Sequence, residues 1–192
     1  LTNIATAIRL DPSFPERIDS LIVMGGAFGY NGHRGNVSPV AEANIASDPL
    51  AADVVFTSAM QTTIVGLDVS HEITMDKAFM QSLILAAPAA GKFISDTHQF
   101  YFDFHHSLSG KYECPLHDSS AVAYLLNPQL FTTITQPVRV VTGGIALGQT
   151  IHGDQVRAYV SKEWDEAPLC TICTAVDSKG VLDLYRSILS LA

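Results

Sequence analysis

Apolar residues fall along this chain in two textures, and the alternation between them predicts its architecture. The first ten residues, Leu1 to Leu10, enter a helical pattern almost at once, with Thr2 or Asn3 placed to cap it and Asp11-Pro12 to end it. Short apolar runs then appear without polar alternation: Leu21-Ile22-Val23-Met24, Thr62 to Val69, and Leu169 to Val176. Such runs suit strands of a parallel sheet covered on both faces. Ile134 to Val141 and Gln155 to Val160 read as further strands.

Between these runs the spacing is helical. Ser47-Asp48-Pro49 supplies a cap and a first-turn proline for a helix to about Ser58. Thr74-Met75-Asp76 opens another, to Ala87. A longer helix follows from about Ala90 to Leu108, with Phe93, Phe100, Tyr101 and Phe104 expected on its inner face. The loop Ser109 to Pro115 leads to a short helix, Ser120 to Leu126, stopped by Asn127-Pro128. Asp177-Ser178 caps a last helix, Val181 to Leu191. Strands alternating with helices predict one α/β domain over 1–192, an open, mainly parallel sheet with helices on both faces. In such sheets ligands sit at the carboxyl ends of strands, the position of Gly25-Gly26.

Composition narrows the function. The formal net charge of -8 and the lack of basic runs argue against a nucleic-acid surface. No apolar run is long enough to span a bilayer; Leu83 to Ala90 is short and broken by Pro88. Of three cysteines, Cys170 and Cys173 have CxxC spacing but lie in a β-prone run without a second ligand pair, so they read as buried strand residues. An odd count leans towards a reducing compartment, hence the cytoplasm. The chain starts without methionine on a helix start, and upstream sequence is expected.

Two places carry candidate chemistry. Gly35-Asn36-Val37-Ser38-Pro39-Val40-Ala41-Glu42-Ala43-Asn44 sets two carboxamides and a carboxylate beyond a strand end. These groups suit a hydroxyl-rich ligand such as a sugar, or serve as caps and turns of a polar loop. His117-Asp118 lies at a loop-to-helix junction: Asp118 either caps the helix or binds a hard cation, and His117 can move a proton near neutral pH. No Gly-x-Gly-x-x-Gly, Walker A, Gly-x-Ser-x-Gly or His-Glu-x-x-His pattern occurs. His105-His106 followed by His117-Asp118 matches the skeleton of HD-type metal phosphohydrolases, but those are all-helical and the strands count against them.

Taken together the segments resemble the inosine/uridine-preferring nucleoside hydrolase family. The stretches that carry the resemblance are Leu1-Thr2-Asn3-Ile4-Ala5, Val23-Met24-Gly25-Gly26, Gly35-Asn36-Val37, Ala41-Glu42-Ala43-Asn44, Asp48-Pro49-Leu50-Ala51-Ala52, Val65-Gly66-Leu67-Asp68-Val69 and Pro115-Leu116-His117-Asp118. The resemblance implies that Asn36, Glu42 and Asn44 hold the ribose hydroxyls and 5′ end, and that Met24 lines the ribose pocket. Asp118 matches a calcium-binding aspartate, and His117 the histidine that protonates the leaving base. Tyr101 and His105 fall near that base. The implied reaction is hydrolysis of the N-glycosidic bond by calcium-activated water, in nucleoside salvage, by a homodimer or homotetramer. The family's Asp-rich amino-terminal motif, which supplies most calcium ligands, is absent, so the chain resembles the carboxyl-terminal portion and is expected to be inactive alone. A non-catalytic nucleoside-binding fragment or pseudoenzyme is the alternative. Ala43 departs from the aromatic usual between the Glu and Asn, which opens space near the sugar.

Overall fold

A computed structural model of the chain describes residues 1–164 and 167–191. In chain order the first elements are α1 (Thr2–Leu10), β1 (Leu21–Met24), α2 (Ala43–Ser47), α3 (Pro49–Phe56), β2 (Thr62–Val65) and α4 (Leu67–Ser70). Next come β3 (Thr74–Asp76), α5 (Lys77–Ala86), α6 (Pro88–Ser109), β4 (Glu113–Pro115) and α7 (His117–Leu126). The last are β5 (Phe131–Val140), β6 (Thr150–His152), β7 (Leu169–Val176) and α8 (Ser178–Leu189). The chain forms two compact units: Leu1–Val69 with Phe131–Val176, and Ser70–Leu130 with Asp177–Ala192.

The first unit is built on a five-stranded sheet in the order β1-β2-β7-β5-β6. β1, β2 and β7 run parallel, with Leu21 opposite Thr62 and Ile64 opposite Ile172. β5 and β6 continue the sheet antiparallel. The α/β fold expected from the unalternating runs is therefore present, with an antiparallel extension on its parallel part. Val23, Ile64 and Ile172, one from each parallel strand, are buried with Ile45, Val55 and Phe56 of the covering helices. Asp53 on α3 reaches β5 by a two-pronged pair with Arg139 (2.9 Å at each oxygen) and accepts the Val140 N–H at 2.9 Å. Burial opposes ionisation of Asp53, but the Arg139 and Val140 hydrogen bonds together outweigh it and lower its pKa.

Two expectations in this unit change. The strand predicted to Val69 stops at Val65: Leu67 N–H donates to Gly26 O at 2.9 Å, and Val69 N–H to Gly66 O at 3.2 Å, closing the turn of α4. All of Thr62 to Ser70 is buried, and a continuous apolar run does not distinguish strand from helix by pattern. Gln155 to Val160 is no strand; Val156 and Val160 are exposed, and the added strand is β6. Cys170 and Cys173 are buried free thiols on β7, as their apolar run predicts.

In the second unit β3 and β4 pair antiparallel, Met75 opposite Cys114. Thr74–Asp76 is thus a strand rather than a helix start, and Asp76 instead caps α5 by accepting Phe79 N–H at 2.7 Å. α5 and α6 meet closely at Gly91, where a Cβ would lie 2.6 Å from the backbone of Ile84. Gly91 and Phe102, eleven residues or three turns apart, are the buried residues of α6. Most of the aromatic side is consequently turned outward: Phe93, Phe100 and Phe104 are 69%, 80% and 47% exposed, opposite to expectation, whereas Tyr101 is half-buried. Met75, Leu83, Cys114 and Val181 fill the interior. α7 begins at His117, three residues before the predicted start, and Asp177 caps α8 through Gly180 N–H at 3.0 Å. No described helix is long and apolar enough to cross a membrane.

Candidate active site

In the first unit the polar groups gather beyond β1. Gly35 allows a tight reversal, since a Cβ there would stand 2.3 Å from both Ala41 N and Ser38 O. Asn36 and Val37 N–H both donate to Ala41 O, and Ser38 Oγ accepts Ala41 N–H at 3.0 Å. The turn delivers Glu42 to the start of α2. Glu42 is 2% exposed. Its Oε1 accepts Asn44 N–H at 2.8 Å, and its Oε2 accepts Ile45 N–H at 3.1 Å and Gly26 N–H at 3.0 Å. One carboxylate thus caps α2 and ties it to the loop after β1.

The two carboxamides are held differently. Asn36 Oδ1 accepts Ala43 N–H at 2.9 Å, and Asn44 Nδ2 donates to Met24 O at 3.2 Å, beside Met24 Sδ at 3.3 Å. These backbone partners fix which amide atom points where. Asn36 Nδ2 and Asn44 Oδ1 have no hydrogen-bond partner among the described residues, and both side chains belong to exposed residues. A donor and an acceptor are therefore presented at the end of β1.

Asp68, in the run predicted as a strand, holds the same loop. It is fully buried and accepts Phe28 N–H at 2.9 Å and Tyr30 N–H at 2.7 Å. Burial raises its pKa, against the pull of these backbone bonds. Asn31, in the left-handed region at φ 55, donates to Asp68 O and Thr174 O. Thr150 Oγ1 bonds both N–H and O of Ala27. In the sequence Asp68 shows as a carboxylate inside an apolar run and as a member of the family-matching stretch Val65-Gly66-Leu67-Asp68-Val69.

The second unit assembles histidines. His117 opens α7, and its Nδ1 lies 2.9 Å from Oγ of the buried Ser70. The His71 ring packs 5.2 Å from the His117 ring, tilted by 51°. Tyr101 meets His105 edge-on at 4.5 Å, which joins the two expected base-side residues, and the Nε2 of His105 is buried without a hydrogen-bond partner among the described residues. Burial, then the neighbouring His71 and His105, push the His117 pKa down to about 4. The ring is neutral near pH 7 and offers an N–H hydrogen bond rather than a stored proton. Burial lowers the His105 pKa and raises that of Tyr101, the latter helped by Cys114 and Asp118.

Asp118 is exposed in the first turn of α7 and does not cap it; the cap position is Leu116, without a side-chain bond. A carboxylate there still complements the helix dipole. Calcium needs six to eight oxygens. Among the described residues no group of three or more His, Cys, Asp or Glu side chains gathers to hold a metal. The residues present do not make up a calcium site.

The chain is similar to known proteins over most of its length. The family model described as inosine-uridine preferring nucleoside hydrolase matches residues 1–183. Uridine nucleosidase 1 of Arabidopsis thaliana is 36% identical over 188 residues, 97% of this chain and 55% of that protein. The inosine-uridine preferring nucleoside hydrolase of Crithidia fasciculata is 36% identical over 152 residues, 79% of this chain and 47% of that protein. A solved plant nucleoside hydrolase superposes with TM-score 0.92 at 30% identity, covering all of this chain and 59% of that structure. The purine-preferring ribonucleoside hydrolase of Gardnerella vaginalis follows at 0.86 and 31%, covering 98% of this chain and 57% of that structure. The chain spans about half to three-fifths of the length of these relatives. It belongs to the inosine-uridine preferring nucleoside hydrolase family.

Proposed function

We propose that the chain is the ribose- and base-handling portion of a ribonucleoside N-ribohydrolase, which cleaves nucleosides to ribose and free base. The observation that carries this is the pair of unused amide atoms, Asn36 Nδ2 and Asn44 Oδ1, presented beside Met24 in a member of this family. One donates and the other accepts, as vicinal hydroxyls require. Glu42 acts mainly as their scaffold: three of its roughly four lone-pair positions are taken by backbone N–H groups. Met24 gives the sugar an apolar wall. Rigid polar groups of this kind favour an oxocarbenium-like sugar over the ground state when their dipoles are fixed beforehand.

His117 handles the leaving base. Its neutral ring donates an N–H to the base nitrogen that gathers negative charge as the glycosidic bond breaks. Tyr101 and His105 are the further base-side groups. The resemblance implies calcium, with Asp118 as one ligand, but the described donor set does not fit it and no step is derived through the cation. The chain alone accordingly neither holds calcium tightly nor hydrolyses nucleosides, which leaves nucleoside binding as its separable activity. Three buried free thiols agree with a reducing, cytoplasmic setting.

The test is a chimera in which this chain replaces the matching portion of the Arabidopsis uridine nucleosidase. Release of uracil or hypoxanthine from uridine or inosine, followed chromatographically, is expected from the chimera and not from the isolated chain. A folded chimera that releases no base would sink the catalytic reading. Hydrolysis by the isolated chain, abolished by a chelator, would sink the expectation of inactivity.

A further inference from the structure

Ser70 is the last residue of α4 and is fully buried. Its Oγ lies 2.9 Å from His117 Nδ1, and among the described residues Oγ has no other hydrogen-bond partner. A serine hydroxyl has one proton to give. Were Nδ1 protonated, its N–H would donate to Oγ, and the hydroxyl proton would stay in the interior without an acceptor. That arrangement carries the cost of a desolvated, unpaired donor. If the hydroxyl donates instead, both groups are satisfied, and the proton of the neutral ring resides on Nε2.

The ring is also held in orientation. The His71 ring lies against it, while Ser120, another fully buried serine, fixes the backbone beneath it by donating its hydroxyl to the His117 carbonyl. These contacts leave the tautomer to Ser70. We propose that Ser70 is a positioning residue that fixes His117 as its Nε2–H tautomer, so that Nε2–H is the atom through which this ring meets a departing base. The functional half of this inference rests on the role given to His117 above. The tautomer itself does not.

The test is nitrogen NMR of the 192-residue chain labelled with 15N-histidine, His117 being assigned by its loss in His117→Ala. Wild type is expected to show a pyridine-like Nδ1 and a pyrrole-like Nε2. In Ser70→Ala the two resonances move towards each other as the tautomers mix, and Ser70→Thr restores the wild-type pattern. A pyrrole-like Nδ1 in wild type overturns the proposal, whether or not Ser70→Ala folds. An unchanged His117 pattern in a folded Ser70→Ala chain overturns it too. Because the tautomer is read without turnover, failure of the hydrolase reading and failure of Ser70 are separate results.

Discussion

Glu42 of the first unit and His117 of the second are both candidate site residues, yet their surroundings are built in opposite ways. Glu42 is surrounded by backbone donors, three N–H groups from two segments of the first unit. His117 has a side-chain hydroxyl on one nitrogen and other rings beside it. In the first region polar chemistry shapes the loop and leaves one amide atom each of Asn36 and Asn44 without a partner among the described residues. In the second, the fold buries the ring beside other histidines, and its pKa falls to about 4 as a result. A residue that reads as a ligand contact in the sequence can also be scaffold for its neighbours.

Removing the carboxylate is the strongest way to break this contrast. Glu42→Ala leaves three N–H groups without an acceptor and strips the cap of α2, and should cost roughly 3 kcal/mol of unfolding free energy. Urea denaturation reads this directly; a loss under about 1 kcal/mol would remove Glu42 from the scaffold. Asp68→Ala should follow at about 2 kcal/mol, from two orphaned loop N–H groups and a buried gap.

His117→Ala orphans the buried Ser70 hydroxyl and should cost roughly 1–2 kcal/mol near pH 7, and it should also alter chemistry in the chimera. There it should slow poor leaving-group bases more than an activated nitrophenyl riboside, and equal slowing would argue against a role at the base. Its pH signature is separate. The folded ring has a pKa near 4 against 6.5 ordinarily, so the unfolded chain binds that proton more readily. Its contribution to stability is complete above about pH 6.5 and is lost as pH falls towards 4, a slope that His117→Ala should flatten in denaturation curves taken across that range. The smallest effect concerns Cys170 and Cys173, whose thiols burial pushes up to about 11 and 12. Both should resist alkylation at pH 8 until urea unfolds the chain, and rapid labelling of the native protein would contradict their burial.

Much of this was open to reading from the residues in order. The bounds of β7, the Asp48-Pro49 helix start and the Asp177 cap were legible because each is a local backbone preference. The candidate residues Met24, Asn36, Glu42, Asn44, His117 and Asp118 were legible as a set because their order and spacing match a family. Other features were settled by partners far along the chain. Thr74–Asp76 became a strand because Glu113–Pro115 comes to pair with it. Phe93, Phe100 and Phe104 face outward because Gly91 and Phe102 bring the opposite side of α6 into contact. Asp68 acquired its loop from residues 38 and 40 positions away, and His117 its serine from 47. By itself the sequence determined where the backbone bends and which chemical groups the chain owns. Only the tertiary structure decided which of those groups are consumed by the fold and which are left to act, because hydrogen-bond partners are assigned by proximity in space.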